Sequence, residues 1–341
     1  FMAIGILILG PMSDKYGRKP VLVASISISM IFSAACAFAP NITLLIVARA
    51  ASAFGAGGMV AISTALIKDS YEGKAMSKVL SVTQAFMLIA PMLAPVLGAI
   101  ILKVADWKMT FIVLAILTGV SLAGALLLQE TLPVKERTQS STIQTILGLR
   151  KVAKNPNFSS LLLVGALIAA PFMAYLALAS YIYIDGFGVS ETTFSMYFAL
   201  NAGASILGPV MYMRFGAGSV KKVISAGIIV AIISAILILT IGNASPIIFL
   251  LSYVLYSIMT SYFRPLISDL LLSATKTDVG ATSSVMNFGF TVIGSIGMVV
   301  GSLQWSSYTG GLGITMLIFI ALTMIVWLYL LKAKSIRFDW K

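Results

Sequence analysis

The sequence predicts an all-α membrane protein, and three observations support that prediction. The first is composition: 59% of the 341 residues are hydrophobic and 10% are charged, whereas soluble domains carry roughly 25% charged residues. The second is a series of apolar runs of about 20 residues, which is enough to cross a bilayer. The third is the distribution of lysine and arginine, which follows the alternation of those runs.

The apolar runs define the expected spans. After a partial run over residues 1–10, we expect full spans near 20–38, 43–67, 78–102, 109–128, 159–183, 193–213, 222–241, 246–272, 279–303 and 310–331. The largest polar interruption is residues 129–158, and its TIQTILGLRKVA segment has the spacing of a membrane-surface helix. We therefore expect an N-terminal helical bundle over 1–128, a cytoplasmic central loop over 129–158 and a C-terminal helical bundle over 159–341.

The basic residues orient the chain. Nineteen of the 23 lie in alternate connections and the C-terminal tail, whereas Lys103 and Lys108 occupy the opposite connections and Arg49 and Arg264 fall inside spans. The positive-inside rule then places the loop 11–20 and the C-terminus in the cytoplasm. The net charge of +12 thus reports membrane topology, and we expect a lipid bilayer rather than nucleic acid as the partner.

Several enzyme classes are disfavoured by what the sequence lacks. It contains no histidine, which removes histidine-based acid–base catalysis and histidine metal sites. Its one cysteine, Cys36, lies in an apolar run and has no partner for an internal disulfide. It also lacks a G-x-x-x-x-G-K-[ST] phosphate loop. We expect neither an enzyme nor a bound metal or cofactor.

An internal repeat indicates duplicated halves. GPMSDKYGRKPV, from Gly10, is similar to GPVMYMRFGAGSVKKV, which starts 198 residues later at Gly208. Each has Gly-Pro near a helix end, then a base, an aromatic residue and glycine. Duplicated halves are a common plan of secondary transporters. The same offset places the counterpart of the span near 159 before residue 1, so we expect one helix and part of another to be missing upstream.

At this point several segments resemble one family. Gly10, Ser13, Asp14, Gly17, Arg18 and Lys19 form a G-x-x-S-D-x-x-G-R-K pattern that resembles the signature loop between spans two and three of major facilitator transporters. Further segments in the same order resemble the Bcr/CflA-like drug-resistance subfamily: RAASAFGAGG, APMLAPVLGA, QETLP and the hairpin over 180–203. Ser52 replaces the glutamine of the fourth-span pattern, and Ala99 replaces the last glycine of the fifth-span motif.

The resemblance implies a fold and a function. The fold is the major facilitator fold, with two pseudo-symmetric six-helix bundles that open alternately to each side; the first helix and part of the second are missing here. The implied function is proton-coupled export of drug-like compounds across a bacterial inner membrane, by a monomer that uses the proton gradient and no cofactor. A transporter of a sugar, amino acid or other metabolite with the same fold, and a transport-inactive fragment or scaffold, are the alternatives.

The resemblance also implies roles for particular residues. Arg49, inside a span, is expected to take part in proton coupling, with Asp269 as the candidate acid in this chain and the main acid in the missing first span. Snorkelling of Arg49 and solvation of Asp269 near the cytoplasmic end are the alternatives. The antiporter motif is expected to kink its helix at Pro91 and Pro95 and to permit close packing at Gly98; its remaining residue is Ala94.

The opening loop and the cavity complete the expected site. Asp14 is expected to reach the positive end of the helix that begins near Val279, and Arg18 to pair with Asp69, so that both latch the cytoplasmic side. The expected cavity offers aromatic, methionine and amide side chains to apolar or cationic ligands, although each residue alone has packing as an alternative. Those side chains are Gln84, Met87, Phe172, Tyr175, Asn201, Tyr253, Tyr256, Asn287 and Phe288.

Overall fold

The structure, a computed structural model, describes residues 1–71, 75, 79, 83, 90, 94–137, 149–150, 152–215, 219–273 and 279–332. The described part is helical, as the sequence predicts. Its helices are α1 (Met2–Tyr16), α2 (Arg18–Ala37), α3 (Ile42–Ser70), α4 (Trp107–Leu127), α5 (Pro156–Ser180), α6 (Glu191–Ser205), α7 (Leu207–Phe215), α8 (Val220–Ile241), α9 (Pro246–Ser273), α10 (Val279–Gly301) and α11 (Tyr308–Lys332). Within the described ranges, nine helical segments are long and apolar enough to cross a membrane.

The chain divides into two compact units. Unit 1 comprises Phe1–Met87, Leu97–Lys151 and Gly280–Phe288, and unit 2 comprises Leu88–Val96, Val152–Val279 and Gly289–Lys341. In unit 1, α2 packs against α3 and α4, and α1 packs against α3. The α1–α3 contact depends on glycine, since a Cβ at Gly57 would lie 2.1 Å from the carbonyl oxygen of Met2. Small residues let membrane helices approach this closely.

Unit 2 is arranged around α9, which packs against α5, α6, α7 and α8. Helix α11 closes the other side against α5 and α8, where Trp327 Nε1 donates a hydrogen bond to Ser225 Oγ at 3.0 Å. The contact between α7 and α9 again depends on glycine, because a Cβ at Gly208 would lie 2.5 Å from Ile258 O. Unit 2 therefore presents side chains of α5, α6 and α9 to one another.

The expected turn over residues 11–20 is wrong, because one residue, Gly17, reverses the chain. Helix α1 continues through Pro11 to Tyr16, and α2 begins at Arg18. Pro11 cannot donate a backbone hydrogen bond, yet the helix continues, and Ser13 Oγ donates to Gly10 O at 2.7 Å. Gly17 has φ 104° and ψ 154°, a conformation that only glycine adopts readily.

The expected single span over 193–213 is confirmed as one membrane-spanning segment, Glu191–Arg214, although a turn at Ile206 separates its two helices, α6 and α7. Proline at position 209 has no N–H for the carbonyl of Ser205 and its ring crowds that carbonyl, which explains a break at this point. Helix α5 extends beyond its α-helical part as a π-helical turn over Tyr181–Gly186. This turn aims Tyr183, which is fully buried, into unit 2.

Candidate functional site

Unit 1 contains an ionic cluster around the reversal at Gly17, and Arg18 is at its centre. Arg18 is 8% exposed, and its Nε lies 2.8 Å from Asp69 Oδ2 at the end of α3. Its Nη1 lies 2.5 Å from Asp14 Oδ1 and donates to Ser13 Oγ at 2.8 Å. The predicted pairing of Arg18 with Asp69 is therefore confirmed, and the guanidinium joins α1, α2 and α3 at one point.

Glu130 is the member of this cluster that the sequence reasoning missed. The N–H groups of Arg18 and Lys19 donate to its two carboxylate oxygens at 2.9 and 3.2 Å. These are free donors of the first turn of α2, which has no side-chain cap of its own. The sequence offered one signal for Glu130. It is an acid in a segment that is otherwise rich in basic residues, and such an acid is expected to have a specific partner.

The protonation state of Glu130 follows from these contacts. Burial alone would raise the pKa of its carboxyl. The backbone N–H groups of Leu132, Arg18 and Lys19, together with the charge of Arg137, outweigh burial and lower the pKa of Glu130 below its ordinary value. Glu130 is therefore a fixed anion at neutral pH, where it neutralises the positive end of α2.

The other residues predicted in the opening loop have local contacts. Asp14 pairs with Arg18 one helical turn away, and its side chain is 37% exposed. Its predicted contact with the helix beginning at Val279 stays a prediction, since the side chains at that helix end are outside the described part. Gly10 faces α3, where a Cβ would meet Ala61 Cβ at 3.5 Å. Gly17 faces Glu130, whose Oε2 would lie 2.4 Å from an added Cβ.

The two residues predicted for proton coupling lie in different units. Arg49 is exposed in α3, and its guanidinium carbon lies 5.6 Å from the ring centre of Phe111. Asp269 is exposed in the last turns of α9 and accepts a hydrogen bond from Tyr212 OH. Within the part that the structure describes, neither makes an ion pair, and Arg264 and Asp269 do not pair.

Unit 2 contains a cluster of stacked rings drawn from α5, α6, α9 and the π-helical turn. We call Tyr175, Tyr183, Phe198, Phe249 and Tyr253 the aromatic cluster. The rings of Tyr175 and Tyr253 stack with centres 4.1 Å apart, and Phe198 stacks on Tyr175 at 5.7 Å. Tyr183 meets Phe249 edge to face at 5.4 Å. Such pairs add about 0.5–1.5 kcal/mol each beyond the burial of apolar area.

The aromatic cluster encloses polar atoms without protein partners. Among the described residues, the hydroxyls of Tyr175, Tyr183 and Tyr253 and the Oδ1 of Asn201 are buried and make no hydrogen bond. Tyr256, next to the cluster, differs because its hydroxyl donates to Ile168 O at 2.5 Å. A buried group without a partner costs about 1–3 kcal/mol. The three hydroxyls of the aromatic cluster, and Asn201 Oδ1 on α6, are therefore free to form hydrogen bonds with a ligand or with water.

The structure groups only some of the predicted cavity residues. Tyr175, Tyr253 and Tyr256 lie together, and these three residues and Asn201 are each 0–2% exposed, so they face protein in this conformation rather than an open cavity. Phe172, Asn287 and Phe288 are half-buried, and Gln84 and Met87 lie outside the described residues. Tyr183, Phe198 and Phe249 were missed, although Phe194 and Phe198, and Phe249 and Tyr253, show the i, i+4 spacing of ring pairs on one helix face.

The antiporter motif is described in part. Pro91 lies outside the described residues, whereas residues 94–102 are helical and include Ala94, Pro95 and Gly98. The carbonyl of Pro95 accepts a hydrogen bond from Ser195 Oγ at 3.3 Å. A Cβ at Gly98 would meet no described atom within 4 Å, so the close packing expected there is not found among the described residues.

Comparison with known proteins identifies the family. The model of the Major Facilitator Superfamily matches residues 1–298. The chain belongs to that superfamily. An uncharacterized MFS-type transporter, YdgK of Bacillus subtilis, is 34% identical over 70% of this chain and 60% of its own length. Multidrug resistance protein MdtM of Salmonella typhimurium is 24% identical over 89% of this chain and 74% of its own length.

A solved structure supports the same fold. The crystal structure of the D-xylose–proton symporter superposes on this chain with a TM-score of 0.70 at 14% sequence identity. The superposition covers 96% of this chain and 85% of the symporter chain. At that identity the likeness shows the fold alone. This chain is thus a multi-pass membrane protein of the Major Facilitator Superfamily. The match to the Bacillus relative spans less than two thirds of that protein's length.

Proposed function

We propose that this chain belongs to a proton-coupled exporter of drug-like compounds that works by alternating access in a bacterial inner membrane. The observation that carries the proposal is the aromatic cluster of unit 2. Stacked rings offer apolar and π surface to ligands of varied shape, and the three unpartnered hydroxyls and Asn201 Oδ1 offer a few hydrogen bonds. Ligand sites for drug-sized molecules have this balance of many apolar and few polar groups.

The similarity to MdtM supports the same conclusion, since that relative is described as a multidrug resistance protein. A metabolite transporter is the rival. A sugar presents hydroxyl groups on every side, and its site needs polar partners for most of them. The aromatic cluster and Asn201 have only a few polar atoms among many ring carbons, which favours a drug-like substrate.

We further propose that the ionic cluster of unit 1 is the cytoplasmic gate. Arg18 joins the ends of α1, α2 and α3 through Asp14, Ser13 and Asp69, and Glu130 fixes the start of α2. Breaking this cluster would free those three helix ends together. A charge set that locks one conformation and is released in the other is a common bistable element. Gly10 and Lys19 complete the gating loop as its packing and cap residues.

Arg49 is proposed to couple proton movement to transport. Inserting an arginine at the centre of a membrane helix costs about 2.5–3.5 kcal/mol on translocon scales, so an arginine inside a span indicates a functional role. Its cation would lower the pKa of a carboxyl brought near it and favour proton release. The proton carrier is then an acid that approaches Arg49 in only one conformation, and Asp269 is the proposed candidate in this chain. The motif of Pro91, Ala94, Pro95 and Gly98 is proposed to seal the path against proton leak.

The test is drug-driven proton movement. Everted vesicles holding the protein are acidified inside, and ethidium, chloramphenicol or D-xylose is added outside while a dye reports luminal pH. We expect ethidium or chloramphenicol to raise the luminal pH and D-xylose to have no effect. Arg49→Ala should abolish the response, and Phe111→Leu, which removes only the ring beside Arg49, should retain it. A response to D-xylose alone would replace the drug exporter with a sugar transporter.

A further inference from the structure

Arg264 is a second intramembrane cation, and its position on α9 is unusual. It lies nine residues before the end of the helix at Ser273, well inside the predicted span. Ser257, Ser261 and Ser268 share its side of the helix, at the i, i+4, i+7 and i+11 spacing of one helical face. The four residues form what we call the polar stripe of α9.

The polar stripe faces away from the lipid. The exposed apolar residues of α9 are Ile247, Leu251 and Leu255, and at 3.6 residues per turn their face lies about 110° around the helix from the stripe. The stripe is bounded by protein instead. Beside the stripe, Tyr256 OH donates a hydrogen bond to Ile168 O of α5, and within it Ser257 Oγ lies 2.7 Å from Ser205 Oγ of α6.

Arg264 itself is exposed, although its neighbour Ser257 on the stripe is buried. A charged side chain inside a span faces a bundle interior or a water-filled cavity, because lipid exposure is too costly. An exposed arginine on a stripe of serines, between the α5 and α6 contacts, therefore faces water. Arg264 lines a hydrated face of unit 2 on the same helix as the aromatic cluster.

Arg264 has no carboxylate to neutralise it within the described residues. Three ion pairs are found there, and all of them are in unit 1. Asp269 is near in sequence, but it lies on the Ile247–Leu255 face of α9 and bonds to Tyr212. The other described acids of unit 2 are Asp185, in the π-helical turn, and Glu191, at the start of α6. Glu191 lies at the first residue of α6, and the last residue of α6, Ser205, contacts Ser257. The length of α6 therefore separates Glu191 from the polar stripe.

We propose that Arg264 binds the anionic group of acidic substrates, which adds amphiphilic organic anions to the drug-like compounds that the protein transports. The proposal rests on the proposed transport function and names its substrate. A guanidinium holds carboxylate, sulfonate or phosphate groups through two parallel hydrogen bonds. Tyr253 lies eleven residues before Arg264, about 16 Å along the helix, and arginine side chains lean toward the helix N-terminus. One elongated molecule can place its ring at the aromatic cluster and its acid at Arg264.

The test compares two dyes that share a tricyclic xanthene ring: fluorescein, an anion, and rhodamine 123, a cation. Binding of each to the purified protein is measured by fluorescence anisotropy. We expect fluorescein to bind more tightly. Arg264→Gln should weaken fluorescein binding at least tenfold and leave rhodamine 123 unchanged or tighter, and Arg264→Lys should retain most of the affinity for fluorescein. The matched control is Lys222→Gln, which removes an exposed charge at the start of α8 and should change neither affinity.

Three outcomes would overturn the anion site. They are fluorescein affinity that Arg264→Gln leaves unchanged, an equal loss of both dyes in that variant, and binding of rhodamine 123 but not fluorescein by the unsubstituted protein. The last result would leave the proposed export function intact, because the vesicle assay tests export with other compounds. An equal loss of both dyes would mean that Arg264 supports the fold, and a lower melting temperature of Arg264→Gln would accompany it.

Discussion

The two copies of the repeated segment share a backbone plan but differ in their chemistry. In each copy the helix that contains the Gly-Pro pair, α1 or α7, packs through a glycine against a long helix, α3 or α9. Each long helix carries an aspartate in its last turns, Asp69 or Asp269. In the first copy a guanidinium binds that aspartate, whereas in the second a tyrosine hydroxyl does.

This difference follows from single positions. Counted from Gly-Pro, Tyr212 stands at the place of Asp14 in the first copy. The two copies share their helix packing. The three ion pairs found among the described residues lie in unit 1, whereas the aromatic cluster and its unpartnered hydroxyls lie in unit 2. We infer that the unit 1 copy has been retained as a switch and the unit 2 copy as a support for the binding region.

The largest expected effect is from Gly17→Ala. A side chain at φ 104° costs about 1–3 kcal/mol in backbone strain, and its Cβ would lie 2.4 Å from Glu130 Oε2. We expect a large loss of folded protein, measured by size-exclusion chromatography and thermal unfolding. Gly188→Ala is the matched control, since Gly188 has φ 69° but no atom within 4 Å of an added Cβ among the described residues. Equal losses for both variants would show that the contact with Glu130 is unimportant.

The next effect compares the two aspartates directly. Asp69→Asn leaves the mostly buried Arg18 without its full countercharge, and we expect a loss of about 3 kcal/mol in the free energy of unfolding. Asp269→Asn keeps an oxygen that accepts from Tyr212, so we expect a change below about 0.5 kcal/mol. Thermal unfolding of both variants measures the difference. A larger loss for Asp269→Asn would reverse the assignment of the switch to unit 1.

A smaller effect depends on pH. Because the pKa of Glu130 is lowered in the folded protein, its ionised form stabilises the fold above its unfolded pKa of about 4.3, and that stabilisation is lost as pH falls through the folded pKa. The melting temperature of Glu130→Gln should therefore lie below that of the unsubstituted protein at pH 7 and approach it at low pH. A gap that stays constant down to pH 3 would argue against a charged cap on α2.

The smallest expected effect on stability comes from removing the hydroxyl of one of two buried tyrosines, only one of which makes a hydrogen bond. Tyr253→Phe removes a buried hydroxyl without a partner, so stability should stay equal or rise by up to about 1 kcal/mol. Tyr256→Phe removes the hydrogen bond to Ile168 O and should lose about 1 kcal/mol. Thermal unfolding separates the two variants, and an equal loss in both would show that Tyr253 has a protein partner.

The spans could be predicted from sequence because apolar length is a strong signal in a membrane protein. The predicted spans 20–38 and 222–241 correspond to α2 at Arg18–Ala37 and α8 at Val220–Ile241. Chain reversals were harder to predict. The polar composition of residues 11–20 suggests a ten-residue turn, whereas the backbone conformation of Gly17 alone reverses the chain. The effect of the proline at 209 was also missed, since it depends on whether the carbonyl four residues earlier finds another partner.

The site was predicted in part for similar reasons. The Arg18–Asp69 pair was found because opposite charges at the ends of two predicted spans have few other partners. Glu130 was not, because its role depends on backbone donors of a helix that is distant in sequence. The aromatic cluster joins α5, α6 and α9, and no local pattern indicates which rings of three helices meet.

The most direct test measures binding and transport in the same preparation for one variant of each unit. Drug affinity and drug-driven proton exchange are compared for Asp69→Asn and Tyr253→Phe in proteoliposomes that contain equal amounts of folded protein. If unit 1 carries the switch and unit 2 the binding site, Asp69→Asn keeps the affinity and loses exchange, whereas Tyr253→Phe weakens the affinity and retains exchange at saturating drug. Loss of affinity in Asp69→Asn, with none in Tyr253→Phe, would contradict the assignment.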